Sequence, residues 1–297
     1  MGCKFRSATL SDPILKRPGV YRRAIRVRTS EGWARADMED DPHRFGVMLR
    51  HDGRIVTAIE GVPLRTPWTL CPEAAHELRH LVGMQLAPDP LAVIARADAR
   101  QQCTHLFDLA GLAVTHAARG IARRDYEIEA PWHAATGPRQ VTLKRDGVEL
   151  WTWIVDGMRV LGPEPFAGRE LRDLIVWGRA AFADPDLFEA MLVMRRAVFI
   201  STVRMFDLDG LTHADTISPG KGACFVYQPE RANRAIRVVG STRDSRRLVA
   251  YYCPIWKIIS FLRGLSELNR IHIHMPTQIA RRFESVEFFH PGRQEIL

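Results

Sequence analysis

Two Asp-Gly dipeptides, each set between stretches of alternating apolar and polar residues, constrain this chain more than any other feature of its sequence. Asp52-Gly53 separates residues 45–50 from 54–60, and Asp146-Gly147 separates 141–145 from 148–155. A tight hairpin turn needs positive φ, which Asp and Gly adopt at little cost, so each dipeptide predicts a pair of antiparallel strands. Residues 21–28 alternate in the same way, with Ile25 and Val27 on one face and Arg22, Arg26 and Arg28 on the other. That predicts a strand with one wet side.

Helical signals lie between and after these strands. Cys71 precedes Pro72, a residue suited to the first helical position, and Leu78, Leu81 and Val82 supply an apolar stripe that Gly83 ends, predicting a helix over 72–83. Asp98 can cap a second helix over 98–119, whose Leu106, Leu109, Leu112 and Val114 surround most of its axis and assign it to the interior. Further helices are expected over 170–182 and 185–204, the latter capped by Asp184. Residues 207–221 read as a loop of functional length, and the aromatic and aliphatic tail 245–297 is expected to pack on the rest. Strands, two helices, a second hairpin and then more helices predict an α+β fold, with antiparallel sheet on buried helices, over an alternating parallel one. The expected division is an α+β domain over 1–165, with strands 21–28, 45–60 and 141–155, followed by a mostly helical region over 166–297.

Composition narrows the class. The 297 residues are 46% apolar and carry 42 basic against 34 acidic side chains, a formal charge of +8, enough for a sizeable core and too mixed for extended disorder. The longest apolar stretch, 248–265, contains Lys257 and Arg263, so no membrane span is predicted. Residues 1–11 lack an apolar run and predict no export, and five cysteines at 3, 71, 103, 224 and 253 form no disulfide framework. A reduced, cytoplasmic chain is expected. A dinucleotide-binding glycine loop, a Walker lysine and a GxSxG elbow are all missing, which argues against a nucleotide cofactor, P-loop phosphoryl transfer and α/β-hydrolase action.

Four constellations carry chemistry. Asp41, His43, Cys71 and Cys103 offer one oxygen, one nitrogen and two sulfurs, a tetrahedral set for zinc or iron, with the Cys71 thiolate favoured by the positive end of its helix. The alternative is that both cysteines are small buried hydrophobes. His76-Glu77-x-x-His80 is the spacing with which a helix presents two histidines and a general base to zinc in metalloproteases, although Leu86 stands where one class needs a third histidine. His105 and Asp108, three apart on a helix, form a candidate acid–base pair. Tyr227 is a further candidate proton handler, or core packing. Residues 16–35 hold seven basic side chains against the single acid Glu31. They read as a solvated strand face or, through Arg26 and Arg28, as a clamp for a substrate carboxylate or phosphate; a nucleic-acid partner is not expected. Trp151 and Trp153 share one strand face and are expected to be covered or to wall an apolar pocket.

The segments Trp33-Ala-Arg-Ala-Asp-Met-Glu-Asp-Asp-Pro-His43, Cys71-Pro-Glu-Ala, Cys103-Thr-His-Leu-Phe-Asp108 and Cys224-Phe-Val-Tyr-Gln-Pro-Glu-Arg-Ala232 resemble the bacterial Domain of Unknown Function 2889 family over roughly residues 20–244. Some members of that family are associated with aromatic catabolism, including cleavage of lignin-derived dimers with loss of formaldehyde. The order of hairpin, cysteine-led helix and later cysteine-led buried helix is also similar to the NifU-like iron-sulfur scaffolds. In those scaffolds the first ligands fall where Asp41 and His43 stand here, and the later ones at Cys71 and Cys103. Gln102 stands where the scaffolds have a histidine, and with two thiols in place of three a mononuclear metal is left open beside a cluster. The resemblance therefore implies a lyase acting on a small aromatic or oxygenated molecule, with His105, Asp108 and Tyr227 moving protons. A non-catalytic metal or iron-sulfur module and a zinc protease are the competing readings. A small-molecule substrate is the expected partner, and a homodimer is left open.

Overall fold

The computed structural model describes residues 19–132, 137–216 and 222–243. Its first half is a meander of β1 (Gly19–Ser30), β2 (Trp33–Asp40), β3 (Arg44–His51) and β4 (Val56–Arg65). Three short 3₁₀ segments, Cys71–Leu81, Pro90–Ala95 and Ala99–Gln101, then lead to helix α1 (Thr104–Arg119). A second meander follows, of β5 (Arg123–Trp132), β6 (Arg139–Arg145), β7 (Val148–Asp156) and β8 (Arg159–Gly162), and then α2 (Leu174–Ala181), α3 (Pro185–Ser201) and the short α4 (Pro229–Ala232). The meanders join through β1 and β5 into one antiparallel sheet of order β4-β3-β2-β1-β5-β6-β7-β8. The α+β class with antiparallel sheet is the one expected.

Alternation decides which face is buried. Tyr21, Arg23, Ile25 and Val27 of β1 and Arg124, Tyr126, Ile128 and Ala130 of β5 point to the helices, where α1 packs on β1, β2 and β3 and α3 packs on β5 and β6. The opposite face of β1 carries Arg22, Arg26 and Arg28, which meet carboxylates across the sheet: Glu129 at 2.8 Å, Glu127 at 2.5 Å and Asp125 at 2.6 Å. The basic run is thus a strand face whose charge the neighbouring strand offsets. Arg26 and Arg28, expected as substrate ligands, each bond a carboxylate on β5.

Local signals hold where local chemistry decides. Asp146 and Gly147 both have positive φ, 53° and 85°, and join β6 to β7. Asp184 caps α3 by accepting from the Asp186 amide at 2.8 Å. Asp98, however, caps only the segment Ala99–Gln101, and α1 starts six residues later at Thr104. Trp151 and Trp153 are covered, stacking around the buried Phe166 with centroids 4.9 and 4.7 Å away, while Phe182 and Trp177 close the cluster from α2. Trp153 belongs to the core of the second meander, and the half-buried Trp151, also expected to wall a pocket, packs against it. The described residues belong to one compact unit, inside which the boundary expected near 165 falls. The tail 245–297, the stretch 248–265, the N-terminal 1–11, Cys3 and Cys253 lie outside the described residues. No helix among the described residues is long and apolar enough to cross a membrane.

Candidate functional site

The link from β2 to β3 is a turn of Asp40, Asp41, Pro42 and His43, in which the Asp40 carboxylate accepts the His43 backbone amide at 2.9 Å. An aspartate commonly closes such a turn on itself. Here the same oxygen also bonds His43 Nδ1 at 2.9 Å, so one carboxylate shapes the turn and orients the imidazole. Its second oxygen accepts the Tyr21 hydroxyl at 2.8 Å and lies 3.6 Å from Arg23 Nη1. Asp40 is fully buried, yet its carboxyl is held below the usual range: burial works against the charge, but His43, Arg23 and the Tyr21 hydroxyl together outweigh it. Tyr21 moves the other way, well above the usual tyrosine value, through burial and then the Asp40 charge. From β4, Arg65 grips the turn by donating to the carbonyls of Asp40 at 2.7 Å, His43 at 3.1 Å and Asp41, and to Glu39 at 3.0 Å.

The first turn of α1 brings His105 over this turn. Its ring lies 4.0 Å from that of His43 and 5.7 Å from Phe45. Burial, then the positive surroundings of His43, Arg23 and Arg196, hold its pKa well below the usual histidine value. The ring is therefore neutral at pH 7, and its buried Nε2 has no hydrogen-bond partner among the described residues. Ligand-capable atoms of Asp40, His43 and His105 lie within 4.8 Å of one another. One carboxylate oxygen and two imidazole nitrogens this close together are a donor set that zinc and ferrous ions accept, with positions left open. Without a cation, the same groups make an Asp-oriented histidine able to move a proton.

His43 and His105 are thus brought together, and the other expected ligands are not. Asp41 points away from its neighbour and pairs with Arg204 at 2.7 Å. Cys71 and Cys103 fall outside the Asp40, His43 and His105 set and belong to the apolar core. Burial followed by the neighbouring Cys103 and Cys224 pushes the Cys71 thiol far up, and burial followed by Cys224 pushes Cys103 up to about 12. Burial therefore overrides the helix-end effect expected to favour the thiolate. At pH 8 only about one Cys103 in ten thousand would be ionised, against roughly a quarter for an ordinary thiol. Iodoacetamide should accordingly label Cys103 about a thousandfold more slowly in the native than in the urea-unfolded chain, and faster as pH rises; equal rates would refute this placement.

The other sequence candidates separate too. Asp108 is taken by Arg196 from α3, with Nε at 2.7 Å and Nη2 at 3.2 Å, so it does not pair with His105. Tyr227 accepts from Trp68 Nε1 at 3.1 Å, and its pKa is raised by burial and then by Cys224, a setting for packing and not for proton transfer. His76, Glu77 and His80 sit on the 3₁₀ segment Cys71–Leu81, where three residues complete a turn. Positions four apart then face about 120° away from each other, so the two exposed histidines do not converge and the protease reading falls.

Beside the cluster lies a cavity of about 260 Å³ between α1, α3 and the segment Pro90–Ala95. Leu91, Val93, Phe107, Leu112 and Leu192 form its apolar wall, and Arg23, Asp108, Arg195 and Arg196 its polar end. Arg23 belongs to both sites, since it lines the cavity and faces Asp40. Sequence reasoning missed Asp40, Tyr21, Arg23 and Arg65. Tyr21 and Arg23 carried a signal, because they share the inward parity of Ile25 and Val27.

No curated protein matches the chain. Residues 26–119, which supply Asp40, His43 and His105 but not the Cys224 motif, match the model of the family described as "Protein of unknown function (DUF2889)".

Proposed function

We propose that this chain is an enzyme that holds one divalent cation, zinc or ferrous iron, on Asp40, His43 and His105 and acts there on a small organic molecule admitted through the adjacent cavity. One observation carries the reading: His105 is buried and neutral, its Nε2 has no partner among the described residues, and one of its ring nitrogens lies within 4.8 Å of ligand atoms of Asp40 and His43. A buried polar nitrogen left unmade costs about 1–3 kcal/mol, and a bound ligand would remove that cost. When bound, the cation supplies Lewis-acid polarisation of a substrate oxygen. Asp40 keeps His43 in one tautomer and orientation, Tyr21 and Arg23 hold Asp40 ionised, and Phe45 and the surrounding apolar side chains keep water out.

The reaction class we assign is lyase chemistry in aromatic catabolism, carbon–carbon cleavage by elimination or retro-aldol opening. That assignment rests on the family resemblance and on the apolar cavity next to the site. A substrate hydroxymethyl group gives its proton to solvent, the adjacent carbon–carbon bond breaks as formaldehyde forms, and the electron pair forms a double bond to the next carbon, from which the leaving group departs. The three described cysteines are free thiols, in keeping with a reducing, cytoplasmic setting.

Elemental analysis of the purified chain after loading with zinc or ferrous iron tests the centre. About one ion per chain is expected, falling at least tenfold in occupancy for His105→Leu and His43→Leu but unchanged for Cys71→Ala and Cys103→Ala. Equal metal in His105→Leu, or none in the natural chain, refutes the centre. Formaldehyde release from a panel of hydroxymethyl-bearing aromatic dimers, lost in the same two histidine variants, tests the chemistry.

A further inference from the structure

The polar end of the cavity is unbalanced in charge. Among the described residues the one carboxylate that lines it is Asp108, and both Asp108 oxygens are already bonded by Arg196. Among the described residues the hydrogen bond that Arg195 makes is from Nε to the Leu171 carbonyl at 2.5 Å. Arg23 is 2% exposed; its Nη2 donates to Met38 Sδ at 3.0 Å, while among the described residues its Nε and Nη1 have no hydrogen-bond partner, the Asp40 carboxylate oxygen lying 3.6 Å from Nη1. Two guanidinium groups with unused donors therefore border one apolar cavity, a costly arrangement for an empty site and a suitable one for an anion that accepts from both. Phosphate or another compact, strongly hydrated anion would leave the wall of Leu91, Val93, Phe107, Leu112 and Leu192 uncovered. An apolar organic acid satisfies both ends.

We propose that the cavity binds a small organic acid, its carboxylate between Arg23 and Arg195 and its ring or branched chain against the apolar wall. About 260 Å³ accommodates a single ring with short substituents. Because Arg23 also faces Asp40, the carboxylate end lies beside the candidate metal centre. The claim that this acid is the substrate rests on the reading under Proposed function; the claim that it binds does not.

The test is calorimetric titration of the full chain with 4-hydroxybenzoate and its neutral counterpart 4-hydroxybenzamide, before and after chelator treatment. The acid should bind at least tenfold more tightly in both states. Arg195→Gln should abolish that preference, Arg195→Lys should keep part of it, and Arg172→Gln, at an exposed position, should leave it intact. Equal affinities for acid and amide, no binding of either, or an undiminished preference in Arg195→Gln would overturn the proposal. If metal retention fails while the preference for acid holds, the metal reading falls and this one stands; metal retention with no preference for acid gives the reverse.

Discussion

Replacing Glu189 by Ala should cost about 3–5 kcal/mol of folding stability, a large share of the roughly 5–15 kcal/mol that holds an ordinary domain together. Glu189 lies on α3 with no exposure, where its carboxylate accepts the Tyr126 hydroxyl at 2.7 Å and meets His116 Nε2 at 2.9 and 3.2 Å. The three side chains come from β5, α1 and α3, so one carboxylate ties the helix that carries His105 to the second meander. Truncation leaves the hydroxyl and the ring nitrogen buried without a partner, at about 1–3 kcal/mol each, and adds a small void. Glu189→Gln keeps an acceptor for Tyr126 and should cost less than half as much. Urea denaturation of the three proteins decides: a loss below about 1 kcal/mol for Glu189→Ala would show that the network contributes little. Because α1 is held at both ends of this link, the same variant should also weaken metal retention at His105 in the fraction that remains folded.

What was legible in the sequence follows the range of the forces involved. The Asp146-Gly147 turn and the Asp184 cap depend on residues within a few positions of each other, and both form as read. Strand β2 was hidden because Trp33–Asp40 carries Arg35, Asp37, Glu39 and Asp40, charges that suit a strand only when partners such as Arg65 wait on another strand. Strand β5 was legible but went unread, since Tyr126, Ile128 and Ala130 alternate with Glu127 and Glu129. In the site, His43 and His105 were identified and their partners were not. Adjacent residues at the end of a strand point opposite ways, so Asp40 turns to Tyr21 while Asp41 turns to Arg204. A helical spacing of three places Asp108 near His105, but it cannot reveal that Arg196 arrives from another helix and takes both carboxylate oxygens. Nor does an HExxH pattern state whether its segment winds with 3.6 residues per turn or three.

Gly111→Ala sets two opposed effects against each other at one atom. Intrinsic helix propensity favours Ala over Gly by about 1 kcal/mol within a helix such as α1. A Cβ at this position, however, would lie 2.2 Å from the Pro90 carbonyl oxygen and 3.1 Å from its carbon, both backbone atoms that no rotamer change can remove. The segment Pro90–Ala95 must therefore move off α1, breaking a close contact in a region packed like a crystal. The overpacking cost, about 1–3 kcal/mol in typical cores and toward the upper end where backbone is struck, exceeds the propensity gain, so a net loss of stability is expected. Pro90, Leu91 and Val93 also form part of the cavity wall, so the same displacement reshapes the cavity. Gly111→Ala should accordingly lower the melting temperature and weaken 4-hydroxybenzoate binding at least tenfold while leaving metal stoichiometry near one, because Asp40, His43 and His105 lie on the sheet side of the helix. A variant as stable as the natural chain, with unchanged ligand affinity, would mean that α1 and Pro90–Ala95 are not in the contact that shapes this wall.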